Sequence, residues 1–131
     1  MTGPIDRILL ISPHYTSQRG YKIDLAPPLG IAYVGAVLEQ EGYNVRLLDV
    51  AAEDFFHREL LPGGFLRAGL TYDAIRERIA DFKPDVVGVS CPLSSMFGDM
   101  CRIAELAKKT LGNVVTVVGG EHPSALSLIH I

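Results

Sequence analysis

Glycines and small polar residues stand where the apolar runs of this chain end. In the run 117–123, two valines give way to Gly119 and Gly120, then to the ionisable Glu121 and His122 and a proline. Glycine adopts backbone conformations closed to other residues and lets a ligand approach the main chain. Proline suits the first turn of a helix. The run therefore predicts a strand, a glycine turn and a helix start. Taken alone, it fits a plain turn as well as a ligand contact.

Other candidate binding residues follow two earlier apolar runs. They are Ser12 and His14 after the first run, and Ser90, Leu93 and Ser94 after the third. Ligands of parallel α/β sheets bind at the carboxyl ends of the strands, so these residues and the glycine turn predict one shared site. The chain has no Gly-x-Gly-x-x-Gly, Walker A or Gly-x-Ser-x-Gly motif. It therefore gives no sign of a dinucleotide fingerprint, a P-loop or a hydrolase nucleophile.

Apolar runs of strand length alternate with segments of helical period along the chain. Strands are expected at 7–13, 44–50, 85–91 and 114–118. Helices are expected at 28–40, at 71–82, and from Ser94 or Ser95 to a stop at Gly112. This alternation forces right-handed crossovers and a parallel sheet. It predicts an α/β doubly wound domain, Rossmann-like or flavodoxin-like, with its four strands in the order 2-1-3-4.

Two segments interrupt this rhythm, and one helix has a distinct apolar face. Residues 14–27 are expected to form a polar loop, and residues 51–70 an insertion with one short helix near 53–60. In the first helix, four apolar residues share a face: Leu29, Tyr33, Val37 and Leu38. No fifth strand follows residue 123. We therefore expect residues 1–131 to be a single domain that is truncated after its fourth strand. The alternative is that the last five residues of the chain are not native.

The composition limits the kind of protein and its partners. A chain of 131 residues is the size of one domain. Its net charge of −3 and its scattered basic residues argue against a nucleic-acid partner. No apolar run approaches the roughly 20 residues that span a bilayer. Because Asp6 and Arg7 precede a short apolar run, we do not expect the N-terminal residues to be a signal peptide. The two cysteines, Cys91 and Cys101, supply neither a disulfide framework nor a zinc cluster. We expect a cytoplasmic protein with Cys91 as a small buried apolar residue.

Four segments of the chain carry a family resemblance. They are Pro27–Tyr33, Gly42–Val45, Lys83–Ser90 and Val118–Pro123, in the right order and spanning nearly the whole chain. With them the chain resembles the N-terminal cobalamin-binding domain of cobalamin-dependent radical S-adenosylmethionine enzymes. That group includes anaerobic magnesium-protoporphyrin monomethyl ester cyclases and various methyltransferases. Each segment is moderately specific, and the four together are more so.

The resemblance implies a function and a set of contacts. The chain would hold a corrinoid, with Ser90, Leu93 and the Gly119-Gly120 pair along the nucleotide tail and loop 13–30 facing the corrin. A C-terminal domain of the same parent chain would hold S-adenosylmethionine and a [4Fe–4S] cluster. That cluster needs Cys-x-x-x-Cys-x-x-Cys, which two cysteines cannot supply. The chain alone is thus not expected to catalyse the reaction, and the parent is expected to be a methyltransferase or cyclase.

His14 is a weak candidate for a cobalt ligand. Cobalamin domains of the methionine-synthase type carry Asp-x-His-x-x-Gly after the first strand, whereas here Ser12 and Ser17 replace the aspartate and the glycine. A ligating histidine usually has a carboxylate partner, so the departure favours histidine-off binding. No other metal ligand is expected. The alternative function is a Rossmann-like domain that binds a nucleotide or sugar-nucleotide, or an interaction domain without catalysis.

Overall fold

The computed structural model of the chain describes residues 4–18, 27–91 and 96–120. These contain seven strands: β1 Arg7–Ser12, β2 Tyr15–Gln18, β3 Asn44–Asp49, β4 Arg58–Leu61, β5 Phe65–Ala68, β6 Val86–Ser90 and β7 Val115–Gly119. They also contain four helices: α1 Leu29–Gln40, α2 Val50–Glu53, α3 Tyr72–Phe82 and α4 Phe97–Thr110.

Four of the strands form a parallel sheet in the order β3-β1-β6-β7. In the numbering of the predicted strands this order is 2-1-3-4, so the doubly wound topology is confirmed. The direction of winding reverses between β1 and β6, where Leu10 pairs with Leu47 on one side and with Gly88 on the other. Such a reversal opens a crevice at the carboxyl edge of a parallel sheet.

The two faces of the parallel sheet are covered unequally. The larger core includes Leu9, Ile11, Val87 and Val89. It also contains the buried side chains of α3 and three of α4, Met100, Ile103 and Ala107. The smaller core consists of Ile8, Leu10 and Ile31 of α1. Since alternate residues of a strand face opposite sides, these two sets mark the two faces. On the α1 side Val117 of β7 remains 53% exposed, so part of that face is open.

Helix α1 packs through a face that the sequence did not indicate. Leu29, Tyr33 and Val37 are 59%, 71% and 58% exposed, so three of the four residues predicted to share a face point away from the sheet. The buried residues are Ile31 and Gly35. A Cβ on Gly35 would lie 3.1 Å from Leu47 Cδ2. The helix therefore packs on the sheet through the face that carries Gly35. Because the helix has apolar residues on other sides as well, its sequence pattern did not identify this face.

The two interrupting segments meet in a small antiparallel sheet of order β2-β5-β4. The expected loop 14–27 contains β2. The expected helix near 53–60 was wrong, because α2 ends at Glu53 and β4 begins at Arg58. The sequence signal for a hairpin here was the pair Gly63 and Gly64. Their φ angles of +83° and +80° form the turn that connects β4 to β5.

The ends of α3 and α4 test the predicted helix limits. Thr71 caps α3 by accepting a hydrogen bond from the Ala74 backbone N at 3.1 Å, as its residue type predicts. Helix α4 begins at Phe97, with no side-chain cap from Met96. The predicted caps Ser94 and Ser95 lie outside the described residues. No helix in the described parts of the chain is long and apolar enough to cross a membrane.

Candidate functional site

A cavity of about 310 Å³ lies on the α1 side of the parallel sheet, between the first turns of α1 and the carboxyl halves of β6 and β7. It is bounded by Leu10, Gly30, Ile31, Val34, Gly88, Val89, Ser90, Val117, Gly119 and Gly120. Ser90 supplies the polar side chain of this lining, and the rest is aliphatic or glycine. The cavity thus presents bare backbone and an apolar surface where the fold predicts a ligand.

The two glycines at the end of β7 have different reasons to be glycine. Gly120 has a φ of +118°, and a Cβ there would lie 2.6 Å from the Cys91 carbonyl oxygen. Close backbone packing therefore requires Gly120 whether or not a ligand binds. A Cβ on Gly119 would meet nothing within 4 Å, and its φ is not in the left-handed region. Among residues 4–18, 27–91 and 96–120, nothing requires a glycine at 119, which leaves room for a ligand.

A third glycine keeps the floor of the cavity open. A Cβ on Gly88 would lie 2.8 Å from Leu10 Cδ2, so any side chain would displace Leu10, which also lines the cavity. Gly88 was not singled out in the sequence. A glycine in the middle of a β-branched strand marks a bulge or a close approach, and that signal was available.

Apart from His14, the remaining predicted residues lie outside the cavity or outside the described residues. Ser12 ends β1 two residues beyond Leu10, so it lies on the same face of the strand, at the carboxyl edge. It does not line the cavity. Leu93, Ser94, Glu121 and His122 lie outside the described residues. The structure therefore brings Ser90, Gly119 and Gly120 together.

His14 is enclosed by protein rather than open to a ligand. Its residue is 1% exposed, and Nε2 lies 2.5 Å from the Leu70 carbonyl oxygen. The other ring nitrogen, Nδ1, faces Asp99 Oδ1 at 4.0 Å. Burial lowers the pKa of His14, and the Leu70 carbonyl and Asp99 oppose that shift. The neutral ring donates from Nε2 to Leu70, so neither nitrogen faces open space.

Asp99 lies at the centre of a cluster of polar side chains that the sequence did not predict. Its Oδ1 accepts a hydrogen bond from the Tyr72 hydroxyl at 2.5 Å, and the Nε of Arg67 lies 3.2 Å from the same oxygen. Burial and the bond to Asp99 raise the pKa of Tyr72, which keeps the hydroxyl protonated. Asp99 lies in the first turn of α4, where an acidic residue is common in any helix, and its partners are distant in sequence. No local pattern could have joined them.

A second cavity, of about 280 Å³, lies at the opposite edge of the sheet, around Lys83–Asp85 and residues 111–114. It is remote from the carboxyl ends of the strands, where ligands of this architecture bind. Among residues 4–18, 27–91 and 96–120, no three His, Cys, Asp or Glu side chains are grouped to hold a metal ion.

The topology and the glycine-lined cavity define a class, the doubly wound α/β domains that bind a cofactor at the carboxyl edge of the sheet. Comparison with known families identifies the family within this class. The B12 binding domain family matches residues 24–127. The chain belongs to this family, and its cofactor is cobalamin, as the resemblance predicted.

Curated relatives show the same kinship. The chain is 37% identical over 123 residues to a cytidylyl-2-hydroxyethylphosphonate methyltransferase of Streptomyces wedmorensis, covering 92% of this chain and 23% of that protein. It is 30% identical over 115 residues to an uncharacterized methyltransferase of Pyrococcus horikoshii, covering 88% and 21%. It is also 30% identical over 117 residues to the anaerobic magnesium-protoporphyrin IX monomethyl ester cyclase of Rubrivivax gelatinosus, covering 88% and 18%.

The chain spans about a fifth of the length of these relatives. Among solved structures, the AGO MID domain of N. crassa QDE-2 matches 89% of this chain and 80% of that domain, with a TM-score of 0.40 and 12% identity. That likeness is too low to support an inference about function.

Proposed function

We propose that this chain is the cobalamin-binding module of a radical S-adenosylmethionine enzyme and holds the corrinoid for a catalytic domain further along the parent chain. The observation that carries the proposal is the glycine-lined cavity at the carboxyl edge of the sheet, in a chain of the B12 binding domain family. The names of the relatives, two methyltransferases and a cyclase, fit such a parent enzyme.

The nucleotide tail of cobalamin suits this cavity. The tail ends in a flat, largely apolar base, and the cavity offers an aliphatic lining with the single hydroxyl of Ser90. Gly119 leaves space that a ligand can fill without displacing any atom of the part of the chain that the structure describes. The first turn of α1, which borders the cavity, has no acidic residue and no side-chain cap. The Leu29 N–H of this turn donates to the Pro27 carbonyl, and the following N–H groups of Gly30 and Ile31, which border the cavity, suit the phosphate of the tail.

The geometry around His14 favours histidine-off binding. To ligate cobalt through Nε2, the ring would have to give up its bond to the Leu70 carbonyl and leave an enclosed position. Its Nδ1 faces the Asp99 carboxylate across 4.0 Å. A buried carbonyl that loses its partner costs about 1–3 kcal/mol, so the native position of the ring is favoured.

The division of labour in the proposed enzyme follows from what this chain lacks. Cobalamin supplies a cobalt centre that carries a methyl group, and this chain's residues bind and orient it. The chain has two cysteines, so the iron–sulfur cluster belongs to the C-terminal domain of the proposed parent. We also propose a cytoplasmic location, because such clusters and free thiols persist in a reducing compartment.

Loading with hydroxocobalamin tests the binding half of the proposal. The chain is incubated with the ligand and desalted, and its visible spectrum is recorded alongside a circular dichroism spectrum. We expect a folded protein that retains corrinoid absorbance, and a His14→Ala variant with the same visible spectrum. A spectral shift in that variant would establish histidine ligation. A folded protein without corrinoid, in both the chain and the longer gene product, would overturn the binding function.

The gene sequence beyond residue 131 tests the parent half. We expect a domain containing Cys-x-x-x-Cys-x-x-Cys and, in the purified longer protein, iron and sulfide in the ratio of a [4Fe–4S] cluster. A following domain without that motif would remove the radical S-adenosylmethionine assignment and leave the corrinoid site intact.

A further inference from the structure

Asp99, His14, Arg67 and Tyr72 form a cluster of ionisable groups near the carboxyl edge of the sheet, where the cofactor is proposed to bind. Asp99 and His14 are 7% and 1% exposed, and the Arg67 side chain is 14% exposed. Arg67 also reaches the more exposed Glu59, with Nη1 3.3 Å from Oε2. Burying charged groups is costly, and an apolar set of similar volume often packs at least as well. The cluster therefore calls for a purpose other than stability.

The cluster joins four separate segments of the chain. Asp99 lies in the first turn of α4, Tyr72 begins α3, Arg67 lies in β5, and His14 stands between β1 and β2. The His14 and Tyr72 rings also pack together, with centroids 5.0 Å apart. The Leu70 carbonyl, which binds His14 Nε2, belongs to the link between β5 and α3.

The position of His14 explains why these links matter for binding. It comes two residues after Ser12, where β1 ends at the carboxyl edge, and immediately before β2. Among the described residues no strand of the small antiparallel sheet pairs with a strand of the main sheet, so contacts such as that of Arg67 with Asp99 help to fix its orientation. The contacts of His14 and of Arg67 therefore hold residues 13–18, which follow β1, on the side where the corrin is proposed to lie.

We propose that Asp99 is a positioning residue for the corrinoid. It pairs with Arg67 of β5, the strand that lies beside β2, and it accepts the hydroxyl of Tyr72, whose ring packs on His14. Through these contacts it fixes the segment 13–18, so that the surface facing the corrin is formed before the ligand arrives. Because a preformed site avoids the entropy cost of ordering on binding, loosening this segment weakens the complex. The inference rests on the proposed function, and it concerns the corrin side of the ligand rather than the nucleotide tail.

Hydrogen exchange and two ligands test the proposal. The variants are Asp99→Asn and the milder Tyr72→Phe, which removes only the hydroxyl that binds Asp99. The matched control is Asp73→Asn, since the Asp73 side chain is 84% exposed and pairs only with Arg76 among the described residues. The ligands are hydroxocobalamin and cobinamide, a corrinoid that lacks the nucleotide tail. Amide exchange of residues 14–18 is measured without ligand, at a temperature where each variant is folded.

We expect exchange at 14–18 to become about tenfold faster in Asp99→Asn, and less so in Tyr72→Phe, with no change in Asp73→Asn. Both corrinoids should bind more weakly by the same factor, because the corrin side is affected. Unchanged exchange would overturn the proposal, and so would faster exchange with unchanged affinity for both ligands. If the unsubstituted chain binds neither corrinoid, the proposed function fails, and exchange alone then decides whether Asp99 holds the segment.

Discussion

Replacing Gly119 by valine separates a ligand contact from a structural glycine. A Cβ at 119 meets no atom of the described residues within 4 Å, and φ there is not in the left-handed region, so we expect the free protein to accept the side chain without strain. Because valine suits a strand better than glycine, the free energy of unfolding should stay constant or rise by up to about 1 kcal/mol. The same side chain would occupy part of a cavity of about 310 Å³.

The affinity of the Gly119→Val variant for cobalamin should fall. Forcing extra carbons into a filled site costs about 1–3 kcal/mol, which corresponds to a dissociation constant about 5- to 150-fold higher. Isothermal titration with hydroxocobalamin measures this change, and urea unfolding measures stability. Gly119→Ala should give a smaller loss of affinity. Gly112→Ala, at the opposite edge of the sheet and also free of contacts, is the control. Unaltered affinity in Gly119→Val would refute the placement of the ligand against β7.

Three further predictions concern stability. Gly120→Ala should lower the free energy of unfolding by about 2 kcal/mol or more, because φ is +118° and the new Cβ would meet the Cys91 carbonyl; an unchanged urea midpoint would contradict the close backbone packing. Thr71→Ala should lower the free energy of unfolding by about 1 kcal/mol, because it removes the N-cap of α3. Thr71→Ser should keep most of the stability that the cap provides. The pKa of His14 is lowered from 6.5 by burial, so below about pH 6.5 the unfolded chain binds more protons than the folded one. Stability should therefore fall as the pH drops through this range, more steeply in the unsubstituted chain than in His14→Gln; equal slopes would show that His14 is not buried in its neutral form.

The topology of the main sheet could be predicted from the sequence because its signals are local. Nearly continuous apolar runs mark strands covered on both faces, and the helices between them fix a parallel order. The face of α1 could not be predicted in the same way. The helix has apolar residues on several sides, and its packing is decided by Gly35, where absence of a side chain permits close approach to Leu47.

The candidate site was predicted in part. Ser90, Gly119 and Gly120 meet at one cavity because strand ends converge in this topology, and the sequence contains that information. The difference between the two glycines depends on Cys91, a contact across strands that no local pattern encodes. The partners of Asp99 come from three other segments and were missed for the same reason.

The most direct test of the account compares two ligands on the unsubstituted chain. Hydroxocobalamin and cobinamide share the corrin ring and differ in the nucleotide tail, which we propose to lie in the cavity beside Gly119. Titration of the folded chain should give clearly tighter binding of hydroxocobalamin, and Gly119→Val should remove most of that difference. Equal affinities for the two ligands would contradict the claim that this cavity holds the tail.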